Sequence, residues 1–474
     1  MKLRWTDEWE KQVEVIRRRT VWASVCAVAL AASLLASDAG SAAPEGKGAP
    51  KFPKRPNILI VLLDDVRADE LLSVMPATRR LFKEEGTRFT NMFATTPLCC
   101  PSRTSILTGE YAHNHFVQDN KNSRPLRRRQ KYTIEAYLKR AGYKTAVLGK
   151  ILNSWPLRKD PRFFHRWTLS RGGYERARYN INGRSHAIGK YSTKFLAGQT
   201  EQLLSAFEKA DKHPWFIHLS TYAAHAPYLP EKRYRDAEVP AWDMNPAVGE
   251  EDRSDKPPWV NDAEVGLGRA ASIREGQLRT LMSVDDLVAR VYRHIRALDE
   301  ENTLAFFVSD NGFMWGEHGR LFKRTPYDPS IRLPLLMRWP GHVESGVVDK
   351  RIVANIDIAP TILEAAEIET RPERPMDGRS LLQPGERERL LLEYWAEGGH
   401  GFPTWYATRT KEYQYTRYED SFGDVIFREY YDLVEDPWQL NNLFGDANPT
   451  NDPVIVPLDL QLDQDIRCRA ATCP

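Results

Sequence analysis

The chain has 474 residues, of which 42% are hydrophobic and 28% charged, and its formal net charge is +3. This composition is ordinary for a globular protein and excludes a disordered chain. The net charge is too small to argue for a nucleic-acid partner, and we expect none; the length suits two or three domains.

The N-terminal residues have the pattern of an export signal. Arginines at positions 17–19 precede a 16-residue apolar run from Val21 to Ala36, and small residues follow. This run is shorter than the ~20 residues of a membrane span, so we expect no stable membrane insertion. We predict a signal peptide at 1–43, a linker at 44–55 and an exported protein. The absence of an Asn-x-Ser/Thr sequon from the sequence favours a bacterial source.

Five cysteines are distributed unevenly along the chain. Cys26 lies in the predicted signal. Cys468 and Cys473 could close a small loop, because export permits disulfides. Cys99 and Cys100 are adjacent, a spacing at which two cysteines rarely bond to each other. This pair could therefore be buried thiols, halves of two disulfides, metal ligands or a nucleophile.

Short apolar runs alternate with helical patterns from residue 56 onwards. The first run, NILIVLLDD, predicts a central parallel strand covered on both faces. Further strands are predicted for KTAVLG, WFIHLST, LAFFVSDNG and LPLLMRW, and helices for ATRRLFKEEG, TIEAYLKRAG, KFLAGQTEQLLSAFEKA and residues 272–298. This alternation predicts an α/β fold with a doubly wound, mostly parallel sheet.

Two stretches depart from this alternation. Residues 228–270 have weak periodicity and predict a long loop, which in a compact domain is usually functional or mobile. After about residue 385 the aromatic, alternating segments predict a smaller α+β subdomain containing an antiparallel sheet. We therefore predict an N-terminal domain at 56–384 and a C-terminal subdomain at 385–474.

Acidic and amide side chains follow two of the predicted strands. Asp64 and Asp65 end the first strand, and Asp310 and Asn311 end a late one. Either pair by itself also suits a helix cap or a turn. Ligands of open α/β sheets collect at the carboxyl ends of the strands, so together the four side chains predict a site for a hard divalent cation such as Ca²⁺ or Mg²⁺.

The CCPSR segment suggests a nucleophile beside an anion site. Pro101 suits the first position of a helix, so we expect Cys99 to lie just ahead of the helix N-terminus. Backbone N–H groups and the helix dipole favour an anion there. Arg103 adds a cation with fork geometry for an oxyanion. Two buried structural thiols would explain neither the proline nor the arginine.

These residues also resemble a known family. CCPSRTSILTG resembles the signature of type I sulfatases, C-x-P-S-R followed by L-T-G. Further motifs are similar to the family's and stand in its order: NILIVLLDD before this segment, and GYKTAVLGK, YAAHAPY and SDNG…GEHG…K…YD after it. Leu152, in GKILNSW, replaces a histidine of many arylsulfatases. This version is similar to the N-acetylglucosamine-6-sulfatase and heparan endosulfatase branch. The resemblance implies an alkaline-phosphatase-like fold, with 56–384 as its catalytic domain.

The resemblance also implies how position 99 reacts. A formylglycine-generating maturation enzyme would oxidise Cys99 to Cα-formylglycine, whose hydrate attacks sulfur, while Cys100 falls at a variable position. The cation, Ca²⁺ with Mg²⁺ as the alternative, would be held by Asp64, Asp65, Asp310, Asn311 and the modified Cys99. The implied substrate is a sulfated saccharide.

The remaining implied roles concern charge and protons. Arg103, Lys150 and Lys323 would neutralise the sulfuryl oxygens. His225 or Lys323 would protonate the leaving alcohol, and His318, expected to be the more exposed histidine, would deprotonate the second hydroxyl. The candidates for substrate contact are His115 and Asn153.

One basic segment bears on the substrate, and two alternative functions compete with hydrolysis of a sulfated saccharide. The segment SRPLRRRQK, residues 123–131, carries five basic residues, which would attract a sulfated polysaccharide or simply form a solvated loop. A phosphonate or phosphodiester hydrolase of the same superfamily is the alternative enzyme. A catalytically silent carbohydrate-binding relative is the alternative outside catalysis.

Overall fold

A ten-stranded mixed sheet organises the residues that the computed structural model describes, which are 55–209, 212–370, 373–398 and 401–474. The predicted signal peptide and nearly all of the predicted linker lie outside these residues. The described part of the chain belongs to one compact unit.

The strands form three sheets. The large sheet has the order β12-β2-β11-β8-β1-β7-β3-β4-β5-β6, a hairpin pairs β9 with β10, and a C-terminal sheet has the order β13-β14-β15-β16. Their bounds are β1 Asn57–Leu63, β2 Thr87–Phe93, β3 Lys144–Lys150, β4 Arg166–Ser170, β5 Arg178–Ile181, β6 Arg184–Ala187, β7 Trp215–Ser220, β8 Thr303–Ser309, β9 Met314–Trp315, β10 Leu321–Phe322, β11 Leu335–Arg338, β12 Val347–Ala354, β13 Leu390–Tyr394, β14 Thr404–Arg409, β15 Tyr413–Glu419 and β16 Val425–Asp432.

The helices connect these strands. They are α1 Pro76–Thr78, which continues as a π-helix to Glu84, α2 Cys99–Thr108, α3 Ala112–His115, α4 Arg124–Arg129, α5 Ile134–Arg140, α6 Ser192–Glu208, α7 Pro258–Asn261, α8 Leu267–Ala297, α9 Asp328–Ile331, α10 Ile358–Ala365 and α11 Ile455–Asp465. Short 3₁₀ turns occupy Leu71–Ser73, Gln130–Tyr132, Lys232–Tyr234, Asn355–Asp357 and Ala470–Thr472.

The central strand β1 lies between two parallel neighbours, β7 and β8. Its last residue, Leu63, is in register with Ser309, the last residue of β8. The polar residues that follow these two strands therefore emerge side by side at one edge of the sheet. This register is the main way in which the fold positions the candidate site.

Both faces of the large sheet are covered. Residues Ile58, Ile60 and Leu62 of β1 pack into one apolar core together with residues of α2, α5 and α10. The alternate residues Leu59 and Val61 pack into a second core with residues of α6 and α8. A strand buried on both faces explains the continuous apolar run of β1.

The predicted doubly wound, mostly parallel sheet is confirmed. All five predicted strands form, as β1, β3, β7, β8 and β11, although β11 pairs antiparallel with both of its neighbours. The four predicted helices also form. The predicted loop at 228–270 contains the short helix α7 and the first turn of α8, which begins at Leu267.

The predicted C-terminal antiparallel sheet is confirmed as β13 to β16. Its core also includes Cys468 and Cys473, which form a disulfide with an S–S distance of 2.09 Å. The boundary at 384/385 stays a prediction. No helix of the described residues is long and apolar enough to cross a membrane.

Candidate active site

Two pairs of polar side chains meet at the carboxyl edge of the central strands. Asp64 and Asp65 follow β1, and Asp310 and Asn311 follow β8. The side chain of Asn311 donates a 2.8 Å hydrogen bond from Nδ2 to Oδ1 of Asp65. The backbone N–H of Asp65 donates to Oδ1 of Asp310 at 3.1 Å. The four buried residues therefore form one cluster, as their positions in the sequence predicted.

Helix α2 brings Cys99 to this cluster. Its Sγ atom lies 3.7 Å from Oδ1 of Asp64 and 3.9 Å from Oδ1 of Asp65. Cys99 is the first residue of the helix rather than the residue ahead of it, and Pro101 lies in the first turn. Proline is tolerated there because backbone N–H groups of the first turn have no partner within the helix.

Arg103, one turn further along α2, ties the site to the sheet. Its Nε donates to Oδ2 of Asp310 at 2.7 Å, and its Nη1 donates to the carbonyl of Lys150 at 2.6 Å and to Oγ of Ser220 at 2.7 Å. Nη2 is buried, has no hydrogen-bond partner among the described residues and lies 3.5 Å from Oδ2 of Asp64. Nε and Nη1 of the guanidinium are thus held by hydrogen bonds, whereas Nη2 can still donate to a bound group within the cluster.

Two lysines add further positive charge. Lys150 ends β3 and contacts Oδ2 of Asp64 at 2.5 Å. Lys323 contacts Oδ1 of Asp65, and its Nζ lies 3.0 Å from Sγ of Cys99. Burial favours the neutral form of each lysine, but the neighbouring aspartates outweigh it and raise both pKa values.

The same charges also shift the pKa values of the aspartates. Burial opposes their ionisation, yet Lys150 and Arg103 hold the pKa of Asp64 below its usual range. Lys323 and His225 do the same for the pKa of Asp65. For Asp310, burial dominates and raises the pKa in spite of Arg103. The cluster therefore combines ionised carboxylates with three buried cations.

The thiol of Cys99 is a poor nucleophile as it stands. Burial raises its pKa to about 12, although Lys150 and Lys323 act in the opposite direction. A thiol must lose its proton to attack, and at neutral pH this one remains protonated. The raised pKa therefore argues against attack by an unmodified thiolate at neutral pH.

The donor set suits a hard cation. Four possible ligand atoms lie within 4.8 Å of one another, one each from Asp64, Asp65, Cys99 and His225. Oδ1 of Asn311, in the same cluster, is buried and has no hydrogen-bond partner in the part of the chain that the structure describes. An orphaned amide oxygen beside several carboxylates is the kind of ligand that Ca²⁺ or Mg²⁺ prefers, so the residues present fit such an ion.

His225 lies at the entrance of the cluster and is partly exposed. Its Nε2 is 3.7 Å from Oδ2 of Asp65, and its Nδ1 donates to the carbonyl of Ala226 at 2.9 Å. The ring also packs against Tyr222. Because Nδ1 is engaged with the backbone, Nε2 is the nitrogen that faces the cluster.

The structure corrects the expectation for His318. Its side chain is 1% exposed, against 26% for His225, so His225 is the more exposed of the two. Nδ1 of His318 contacts Oε2 of Glu250 at 2.7 Å, and the ring packs on Tyr327. In the described residues no hydrogen bond or ion pair joins its ring to Cys99 or to the carboxylates of the cluster.

His115 is also placed differently from the sequence-based expectation. It is fully buried, its Nε2 lies 3.1 Å from Oγ of Ser105, and its Nδ1 accepts a 3.0 Å hydrogen bond from Val117. Burial lowers the pKa of His115 to about 3, so the ring is neutral. With both nitrogens engaged inside the protein, this side chain offers a substrate no free atom.

Asn153 contacts the neighbour of the reactive position. Its backbone N–H points to Sγ of Cys100 at 3.2 Å, and its Oδ1 lies 3.7 Å from the same sulfur. Asn153 is half-buried in the loop after β3. The second cysteine of the pair therefore packs against this loop, while the first faces the carboxylates.

Three residues that the sequence did not single out support the site. Ser220, at the end of β7, accepts from Arg103, and its position at a strand end could have indicated it. Asn120 accepts the backbone N–H of Cys100 at 2.8 Å. Gln277 of α8 donates to the carbonyls of Asp65 and Ala224, both at 3.1 Å. No local pattern distinguishes the last two residues.

Comparison with protein families assigns the chain to a class. Residues 56–368 match the sulfatase family, and residues 316–467 match the family described as N-sulphoglucosamine sulphohydrolase, C-terminal. The chain therefore belongs to the sulfatase family and is a sulfuric ester hydrolase. This confirms the resemblance to type I sulfatases.

Individual relatives define the branch. The N-acetylglucosamine-6-sulfatase of Capra hircus is 31% identical over 481 residues, covering 85% of this chain and 82% of the relative. A putative extracellular sulfatase Sulf-1 homolog of Caenorhabditis elegans is 34% identical over 69% of this chain, which spans only 48% of that relative. The predicted N-acetylglucosamine-6-sulfatase branch is thereby confirmed.

Solved structures share the fold. BT4656, solved with its substrate D-glucosamine-2-N,6-O-disulfate, has a TM-score of 0.70 at 24% identity, covering 86% of this chain and 96% of that chain. The phosphonate monoester hydrolase SpPMH of Silicibacter pomeroyi has a TM-score of 0.69 at 22% identity, covering 88% and 96%. These likenesses confirm the alkaline-phosphatase-like architecture.

Proposed function

We propose that this chain removes a sulfate group from a sulfated amino sugar, with the 6-O-sulfate of a glucosamine residue as the favoured ester. The observation that carries the proposal is the position of Lys323, 3.0 Å from Sγ of Cys99 inside a cluster of carboxylates. The names of the goat relative and of the ligand of BT4656 support glucosamine 6-sulfate.

A bound divalent cation and a formylglycine at position 99 would complete the site. Asp64, Asp65, Asp310 and Asn311 would hold the divalent cation, with Ca²⁺ favoured by the oxygen donors. When present, the cation supplies a Lewis acid, and formylglycine formed from Cys99 supplies a nucleophilic hydroxyl.

The chain's own cations would bind the sulfuryl group. Lys150 at the end of β3, Lys323 just after β10 and Nη2 of Arg103 on α2 all lie in the cluster that contains Cys99. All three are buried, so their charges are little screened by water and act strongly on an oxyanion. Because they are held by hydrogen bonds and ion pairs before the substrate arrives, little reorganisation is needed in the transition state.

His225 would deliver the proton that the leaving alcohol needs. Its Nε2 faces the cluster, and the ring is the partly exposed histidine at the entrance. Nδ1 is already donating to Ala226, so a proton on Nε2 is the one available for transfer. Lys323 is the alternative donor. His318 has no part in this proposal, because its ring contacts are with Glu250 and Tyr327.

The first experiment tests position 99 directly. The protein is co-expressed with a formylglycine-generating enzyme and cut with trypsin, and the peptide from Phe89 to Arg103 is weighed. We expect an aldehyde at Cys99 in the wild type and in a Cys100→Ala control, and none in Cys99→Ala. Two intact thiols in the wild type would contradict the nucleophile assignment.

The second experiment tests the bond that is cleaved. The matured protein is assayed on glucosamine 6-sulfate and on the matched 6-phosphate and phosphonate esters. Faster turnover of the sulfate is expected, whereas faster turnover of the phosphonate would favour the phosphonate hydrolase alternative. A matured protein that binds the sulfated sugar without hydrolysing it would be the silent carbohydrate-binding relative. Localisation of the expressed protein outside the cytoplasm would test the proposed export.

A further inference from the structure

A strongly basic segment lies next to the candidate site. Residues 120–131 contain six lysines and arginines and no aspartate or glutamate, whereas the whole chain has a net charge of only +3. Helix α4 (Arg124–Arg129) and the 3₁₀ turn Gln130–Tyr132 form most of this segment. The charge is therefore concentrated on a short piece of regular structure.

The periodicity of the segment separates an inner from an outer side. Leu126 and Gln130 are buried, while Arg124, Arg128 and Lys131 are exposed. Arg124 and Arg128 lie about one turn apart on α4, and Lys131 lies in the 3₁₀ turn that follows this helix. We call Arg124, Arg128 and Lys131 the basic face.

Most of these charges have no ion-pair partner among the described residues. Across the described ranges, Arg129 is the one cation of residues 120–131 that forms an ion pair, at 3.3 Å from Oε2 of Glu110. Burial raises the pKa of Glu110 to about 7, so at neutral pH this carboxyl offsets only part of a charge. Uncompensated cations held side by side favour the approach of an anion.

Aromatic rings lie beside two cations of this segment, Arg129 and Lys131. Phe116 is 56% exposed, and the guanidinium of Arg129 lies 4.6 Å from its ring centre. Tyr132 has Nζ of Lys131 at 4.7 Å and the guanidinium carbon of Arg374 at 5.4 Å from its ring centre. Apolar ring faces beside cations can contact a sugar ring while the cations bind its sulfate groups.

Hydrogen bonds also join this segment to residues around the candidate site. Asn120 accepts the backbone N–H of Cys100 at 2.8 Å, and Oγ of Ser123 donates to the carbonyl of Ser154 at 2.9 Å. Ser154 follows Asn153 in the loop after β3. The residues just before α4 therefore contact both the helix that carries Cys99 and the loop that follows Lys150.

We propose that the basic face binds a polysulfated saccharide chain beyond the sugar whose ester is cleaved. This inference rests on the proposed function and adds that the substrate is a chain with several sulfate groups rather than an isolated monosaccharide. One sulfate would lie at position 99, and sulfates further along the chain would contact Arg124, Arg128 and Lys131.

The test uses heparin as the probe and does not depend on catalysis. The full chain is compared with the triple variant Arg124→Ser, Arg128→Ser, Lys131→Ser. The matched control is Arg184→Ser, Lys209→Ser, Arg293→Ser, which removes three other exposed cations that have no ion pair in the described residues. All six side chains are exposed, so folding should be unaffected, and thermal melting checks this.

We expect the first triple variant to bind heparin about tenfold more weakly at 0.15 M salt, because three modest exposed contacts are lost. The slope of log affinity against log salt should fall by about two to three, as for other polyanions. The control should match the wild type. Equal losses in both triple variants would overturn the proposal. The proposal would also be overturned if single-stranded DNA or phosphatidylserine vesicles bound as tightly as heparin and lost affinity in the first triple variant.

A kinetic comparison separates this proposal from the proposed function. In the matured enzyme, kcat/KM on a sulfated chain should fall about tenfold in the first triple variant, while kcat/KM on the monosaccharide sulfate stays unchanged. If neither substrate is hydrolysed, the proposed function fails, yet the heparin binding still decides the role of the basic face. An equal loss on both substrates would contradict the proposal.

Discussion

The ammonium group of Lys323 lies 3.0 Å from the sulfur of Cys99 and also contacts the carboxylate of Asp65. The lysine comes from the segment just after β10, the cysteine from the start of α2 and the aspartate from the end of β1. One buried cation thus connects the reactive position to the carboxylate cluster.

Replacing the ammonium group should impair catalysis more than binding. Lys323→Met keeps most of the apolar stem and removes the charge, so we expect kcat to fall by about 10²–10³, as for other preorganised donors at a developing oxyanion. Sulfate release from the matured enzyme measures this effect. Lys159→Met, at an exposed position, is the control and should behave as the wild type. A loss of less than about threefold in Lys323→Met would argue against the role of this lysine.

The several N–H donors of the Arg103 guanidinium should matter to stability as much as its positive charge. Arg103→Lys keeps a cation but cannot reach Asp310, the carbonyl of Lys150 and Ser220 together. Buried groups would be left unpaired, so we expect the free energy of unfolding to fall by about 2–4 kcal/mol. Urea unfolding measures this change. The exposed substitution Arg128→Lys should stay within about 0.5 kcal/mol of the wild type, and a similar value for Arg103→Lys would contradict the expectation.

A cation should stabilise the fold through Asn311. Because an ion that binds the native state alone shifts the unfolding equilibrium, Ca²⁺ at about 100 times its Kd should add about 2.7 kcal/mol. A chelator should remove this gain. In Asn311→Leu the orphaned Oδ1 is lost, so we expect a much smaller calcium-dependent rise in melting temperature. An unchanged calcium response in this variant would remove Asn311 from the metal site, and Asn122→Leu, at an exposed position, serves as the control.

The pairing of His113 with Glu393 should make stability depend on pH. Nδ1 of His113 contacts Oε2 of Glu393 at 2.8 Å, and Nε2 lies 2.9 Å from the carbonyl of Cys468. Burial opposes the charge on His113, but Glu393 outweighs it and raises the pKa to about 9.

The sign of the effect follows from the raised pKa. The stability contributed by this pair is fully present below about pH 6.5, the pKa of histidine in the unfolded chain. It is lost as pH rises through about 9, the pKa of His113 in the folded protein. We expect the wild type to lose about 1–3 kcal/mol more than His113→Gln between these pH values. Urea unfolding at pH 6 and pH 9.5 measures the difference. The exposed control His186→Gln should keep the wild-type slope, and an identical slope in His113→Gln would contradict the assignment.

Much of the site could be predicted because its chemistry follows strand ends. Asp64, Asp65, Asp310 and Asn311 come directly after buried apolar runs, and the carboxyl ends of parallel strands meet at one edge. The spacing within CCPSR likewise places Cys99 and Arg103 about one helical turn apart on α2. Local periodicity and helix geometry are sufficient for these inferences.

What the sequence by itself determined about this protein is therefore the alternation of strands and helices, the polar strand ends and the family signature around Cys99. The tertiary structure alone decided which histidine reaches the cluster, since His225 enters it while His115 and His318 are held by Ser105 and Glu250. It also decided the supporting contacts of Gln277 and Asn120. The physical reason is that burial and hydrogen-bond partners depend on contacts between segments far apart in the chain, which no local pattern records.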